Sequence, residues 1–174
     1  MRDSYQGKRL RETFAEKLAR LLPVSSPLRP FLDASIPEPW PNNFSIRVWG
    51  ISLTHGVAGN IVNEDILGSL EYACNVAGAK LILVLGHTAC GAVTAATQRV
   101  ELGNITALLS KITPVVDSLE KGVAVDEVAE YNVKHSIERI RKESAILKDM
   151  EQAGRILIKG AMYDVATGKV RFLD

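Results

Sequence analysis

Cysteine is scarce in this 174-residue chain: Cys74 and Cys90 are the only two, too few for the disulfide framework of a small secreted domain. A reducing cytoplasm is the simplest home for such a chain, and there a thiolate is available as a metal ligand. Excess charge of one sign is also missing. Lys and Arg number 21 against 20 Asp and Glu, so no overall field draws the chain to nucleic acid or to an acidic membrane. Aromatic residues make up 6%, and none interleave with a basic stretch, which argues against a nucleic-acid surface. No apolar run approaches the ~18 residues of a membrane span. The opening Met1-Arg2-Asp3-Ser4-Tyr5 lacks the apolar core of a secretory signal. Internal repeats and low-complexity tracts are absent too.

What is present is the profile of an ordinary soluble globular domain, with 47% hydrophobic and 24% charged residues. From Lys8 to Leu22, Leu10, Phe14, Leu18 and Leu21 recur at helical spacing, which predicts an amphipathic helix ended by Pro23. Residues 23–43 hold six of the seven prolines and read as an extended connector. Residues 1–44 are thus expected to form a helical arm and connector, and residues 45–174 an α/β domain. Ser45 to Leu53 suits a strand, interrupted at Gly50.

Beyond Asn63 the pattern sharpens. Asn63 can cap a helix running to about Ala77, with Glu64 and Asp65 in its first turn and Gly78 as its stop. Lys80 to Leu85 is a continuous apolar run, as in a strand covered on both faces. Ala92 to Thr97 opens another helix. Asn104 is expected to cap a longer one, striped by Ile105, Leu108, Leu109, Ile112, Val115, Val116 and Leu119 and bent at Pro114. Further helices are expected over about Asp126 to Lys142 and Ala145 to Ala153. Arg155 to Asp164 then reads as a strand, turning at Ala166-Thr167-Gly168 into a last edge strand, Lys169 to Leu173. Strands separated by helices predict a largely parallel sheet flanked by helices.

The chemistry gathers in Leu85-Gly86-His87-Thr88-Ala89-Cys90-Gly91. An imidazole and a thiol lie three residues apart, just past the carboxyl end of a buried strand, where open α/β sheets collect their ligands. Zinc accepts both nitrogen and thiolate sulfur, and a short turn can aim both at one point. On spacing alone, His-x-x-Cys is a weak signal, and a buried cysteine beside a hydrogen-bonded histidine is the better explanation of the pair.

The surrounding residues decide between them. Gly86-His87-Thr88-Ala89-Cys90-Gly91-Ala92-Val93 resembles the GHxxCGA signature of β-class carbonic anhydrases (carbonate dehydratases). Ala58-Gly59-Asn60 resembles that family's AGN segment, Gly68 to Ala73 the helix that follows, and Gly160 to Asp164 with Thr167-Gly168 its closing strand and turn. The likeness runs from about Val57 to the end of the chain. It implies a β-carbonic anhydrase-like fold, zinc held by His87 and Cys90, and a zinc-bound hydroxide that converts carbon dioxide to bicarbonate. It also implies a homodimer or a larger set of dimers, with the Leu10–Leu21 stripe laid across a neighbour.

One part of the family pattern is missing. The resemblance calls for an earlier Cys-x-Asp-x-Arg, whose cysteine is a third zinc ligand and whose Asp-Arg pair orients the water or fills the fourth position. No cysteine precedes Cys74, and Asp33 and Arg47 do not stand at that spacing. Cys74 reads as a small core residue, His55 as a solvated or capping one, and His135 as surface. The expectation is therefore the family fold with an incomplete zinc site and little or no hydration activity; the alternative function is a non-catalytic dimerisation or regulatory protein. A phosphate-binding loop at Gly86–Gly91 fails because Ala92-Val93 stands where Lys-Ser/Thr would follow, and no GxGxxG occurs. Thiol redox chemistry at Cys90 lacks a nearby resolving cysteine.

Overall fold

The computed structural model describes residues 46–49 and 53–173, with side chains from Gly56 onward. The helix expected over Lys8 to Leu22 and the proline-rich connector lie outside the described residues.

Five strands form one sheet: β1 (Ile46–Trp49), β2 (Leu53–His55), β3 (Leu81–His87), β4 (Leu157–Tyr163) and β5 (Val170–Leu173), in the order β2-β1-β3-β4-β5. The expected strand around Gly50 is thus a hairpin, with Ile46 opposite His55. The sheet is mixed. β3 and β4 pair in parallel with Leu81 opposite Leu157, whereas β1 runs antiparallel to β3 and β5 antiparallel to β4.

The helices are α1 (Glu64–Glu71), α2 (Gly91–Thr97), α3 (Gly103–Leu109), α4 (Thr113–Ser118), α5 (Val125–Glu143) and α6 (Ala145–Gln152). Asn63 caps α1 as expected, its side-chain oxygen accepting from the Ile66 N–H at 3.0 Å, with Glu64 and Asp65 in the first turn. A wide π turn over Tyr72–Val76 carries the chain to Gly78, which takes a φ of +81°.

The long helix expected from Asn104 is instead two short ones. Asn104 does not cap α3; the Thr106 hydroxyl accepts from the Leu102 N–H at 2.8 Å and Gly103 makes the turn at φ +45°. Pro114 opens the first turn of α4, where its missing N–H is needed by no hydrogen bond, rather than bending a continuous helix. Leu109, Ile112 and Val115 are buried, but Ile105 is exposed.

The β3 run is buried throughout from Leu81 to Gly86. Ile82 and Val84 join one core with Ile158, Met162 and the α5 residues Val128, Ala129, Val133, Ile137 and Ile140. Side-chain alternation puts Leu81, Leu83, Leu85 and His87 on the opposite face. A Cβ on Gly86 would lie 2.6 Å from Val133, and one on Gly160 2.8 Å from the same side chain. Those two bare positions let α5 lie close to the centre of the sheet. The ion pair of Arg171 with Glu130 (2.5 Å) ties β5 to the same helix.

Candidate functional site

The site grows out of the carboxyl end of β3. His87, the last residue of that strand and half-buried, stands opposite Tyr163 in the parallel register. The turn that follows is held by three neighbours. The Thr88 N–H donates to the Tyr163 carbonyl at 2.9 Å, and the Thr88 hydroxyl accepts from the Val165 N–H at 3.1 Å. The Ala89 N–H donates to Asp126 Oδ1 at 2.7 Å, from the first turn of α5. Ala89 sits at a φ of +54°, left-handed backbone that a side chain disfavours. Cys90 then caps α2 and is 4% exposed.

This turn brings the two predicted residues together. A hydrogen bond with the Cys90 side chain raises the His87 pKa; partial burial opposes it, while the thiolate, the Thr88 carbonyl and the Asp126 carboxylate add to it. Burial by itself would push the Cys90 thiol up. The His87 hydrogen bond, the amides of Val93 and Ala92 and the imidazole charge outweigh burial, so Cys90 lies below the ordinary thiol range. His87 Nδ1 donates to the Thr88 carbonyl at 2.9 Å, which in the neutral ring leaves the lone pair on Nε2. An imidazole nitrogen and a thiol of lowered pKa are donors of the kind that zinc takes.

In number they fall short. Among the described residues no group of three His, Cys, Asp or Glu side chains comes together. Cys74 lies in the π turn, 2% exposed, its pKa pushed up to about 11 by burial against the opposing charge of Lys80. That is a core thiol. His135 is half-buried midway along α5. His55 pairs with Ile46, which pairs with Val84, three residues short of His87. Two strand spacings across and three residues along separate the His55 and His87 backbones by roughly 14 Å, too far for one shared ion.

Beside the turn, the segment from Gly59 to Val62 is fixed by three residues of α5. Asn132 Nδ2 donates to the Gly59 carbonyl at 2.7 Å and to Asn60 Oδ1 at 3.3 Å. The Ser136 hydroxyl donates to the Asn60 carbonyl at 2.9 Å, and Arg139 Nη1 to the Val62 carbonyl at 2.8 Å. Gly59 has no alternative here: its φ is +72° and a Cβ would sit 2.5 Å from Ile112 Cδ1 and 3.3 Å from the Ala92 Cβ. Sequence reasoning missed Asp126, Asn132 and Ser136. Their partners lie 37, 72 and 76 residues away, and nothing local to them signals those bonds.

Residues 48–170 match the carbonic anhydrase family. The chain is 31% identical over 120 residues to a carbonic anhydrase of Mycolicibacterium smegmatis, a match covering 65% of this chain and 58% of that protein. Among solved structures it resembles the β-carbonic anhydrase CafA of Aspergillus fumigatus, with 30% identity, a TM-score of 0.60 and coverage of 70% of this chain and 62% of the other. It also resembles a Coccomyxa β-carbonic anhydrase solved with acetazolamide, at 27% identity and a TM-score of 0.59, covering 67% of this chain and 58% of that one. The chain thus spans about three fifths of the length of the relatives it matches. A matching profile over most of the domain, the same sheet-and-helix body and the expected segments around His87 place the chain in the β-class carbonic anhydrase family.

Proposed function

We propose that this chain carries two donors for zinc, His87 and Cys90, in a β-class carbonic anhydrase body, and by itself hydrates carbon dioxide slowly or not at all. The family reaction is the zinc-dependent interconversion of carbon dioxide and bicarbonate, in which bound zinc supplies a water of lowered pKa. In this chain His87 would offer Nε2 while Nδ1 stays on the Thr88 carbonyl, and Cys90 would offer a thiolate already favoured by its surroundings.

The direction of β1 carries the reading. Sites of open sheets form at carboxyl strand ends, yet β1 runs antiparallel to β3 and turns its amino end toward His87. The residues leading into that end, Pro41-Asn42-Asn43-Phe44-Ser45, include no cysteine, histidine or carboxylate. With two donors and, among the described residues, neither a third ligand nor an orienting aspartate beside them, zinc would be weakly held.

Zinc titration against a chromogenic chelator, followed by stopped-flow hydration of carbon dioxide, tests this directly. Weak zinc binding and a rate at the uncatalysed background are expected. Stoichiometric tight zinc with fast hydration would overturn the proposal.

Assembly as a homodimer in the cytoplasm belongs to the same reading. Val100, Leu102 and Ile105 expose apolar surface within one six-residue stretch, at 36%, 63% and 45% of their areas. Among the described residues no helix is long and apolar enough to cross a membrane. Sedimentation equilibrium should return twice the 19.0 kDa chain mass; a monomer mass at every concentration would rule out the dimer.

A further inference from the structure

We infer that Asp126 is a positioning residue for the His87–Cys90 pair, setting the geometry of the turn between them from the first turn of α5. The two side chains share a point only because the chain reverses within Thr88 and Ala89. Ala89 does so at a φ of +54°, a conformation that an alanine leaves when nothing holds it. The holding group is the Asp126 carboxylate, 2.7 Å from the Ala89 N–H. Thr88 is fixed separately, through the Tyr163 carbonyl and the Val165 amide. Asp126 is therefore the one described side chain that bonds to the strained residue itself.

The carboxylate is also well anchored. α5 packs against the centre of the sheet through Val133 and Ile137 and is bonded to the Ala58–Asn60 segment by Asn132 and Ser136. Asp126 thus refers the His87–Cys90 turn to the same rigid rod that positions its neighbour. No bond to a metal and no proton transfer is assigned to Asp126.

The inference rests on reading His87 and Cys90 as the metal-binding pair, and the two can fail separately. Zinc affinity of the unmodified chain tests that reading. Asp126 is tested by alkylation of the full chain with iodoacetamide, followed by mass spectrometry of each cysteine. Cys90 and Cys74 are both buried, at 4% and 2% exposure, so Cys74 reports global loosening and Cys90 reports the turn. Asp126→Ala should raise the Cys90 rate about fivefold, the effect of losing one hydrogen bond, and leave Cys74 unchanged. Asp126→Asn, which keeps an acceptor oxygen, should return Cys90 to near the wild-type rate. In a chain that takes zinc, Asp126→Ala should also lower zinc affinity by about ten- to a hundredfold. An unchanged Cys90 rate in Asp126→Ala, an equal rise at Cys74, or no rescue by Asp126→Asn would each overturn the inference.

Discussion

Replacing Gly86 with valine will lower the thermal midpoint of the protein by roughly 6–12 °C, an overpacking cost of about 3 kcal/mol in a domain of this size. The cause is the closeness of α5 to the sheet. A Cβ on residue 86 would sit 2.6 Å from Val133 Cγ2 and 2.7 Å from Met162 Sδ, with the Ala129 carbonyl oxygen at 3.7 Å. Met162 has three rotatable bonds and can give way. Val133 is β-branched on a helix, with one strongly preferred rotamer, and cannot. The helix must retreat instead, and the added valine methyls worsen the crowding. Gly68 supplies the control. It lies exposed in α1 with nothing within 4 Å of a built Cβ, so Gly68→Ala should stabilise by about 0.5–1 kcal/mol. Circular dichroism melts of both variants decide the matter; a Gly86→Val midpoint within two or so degrees of wild type would contradict the packing described for α5.

Asn132→Leu should cost about 2–5 kcal/mol, read as a fall in the urea midpoint. Asn132 is 1% exposed, and its amide serves both the Gly59 carbonyl and Asn60 Oδ1. Leucine fills the volume but donates nothing, leaving two buried acceptors without that donor, each at about 1–3 kcal/mol. Asn60 has little margin for this loss: its own Nδ2 finds no partner among the described residues, and its backbone stands at φ +42°. Ser136→Ala removes a single bond, so its cost should be nearer 1 kcal/mol. The two donors serve one short segment, and the double variant should therefore depart from additivity. An Asn132→Leu cost below about 0.5 kcal/mol would mean that the segment is held by something other than α5.

Much of the fold was legible because its signals are local. The Asn63 cap, the apolar run of β3 and the turn before β5 each declare themselves within a few residues. The region after α2 misled for a physical reason. The apolar spacing from Ile105 to Leu119 continues a helical period, but Gly103 and Pro114 each start a helix afresh, so the chain divides and Ile105 turns outward. Strand direction escaped for another reason: nothing within Ile46–Trp49 says which way it will run beside β3. The same division holds at the site. His87 and Cys90 drew notice as part of one contiguous family-like segment, Gly86 to Val93, whereas Asp126 reaches the same turn from 37 residues away.

The parallel pairing of β3 with β4 has a consequence in time. Leu81 meets Leu157 across 76 residues of chain (157 minus 81), while Gly160 meets Leu173 across only 13 (173 minus 160). Closing the longer loop carries the larger entropic toll, and contacts of such range slow the passage over the folding barrier. The β4–β5 ribbon and the first turns of α5 are expected to precede the joining of the sheet's two halves. Until that late event the turn bearing His87 has no Tyr163 to lean on, so maturation of the site waits on the last seam of the sheet.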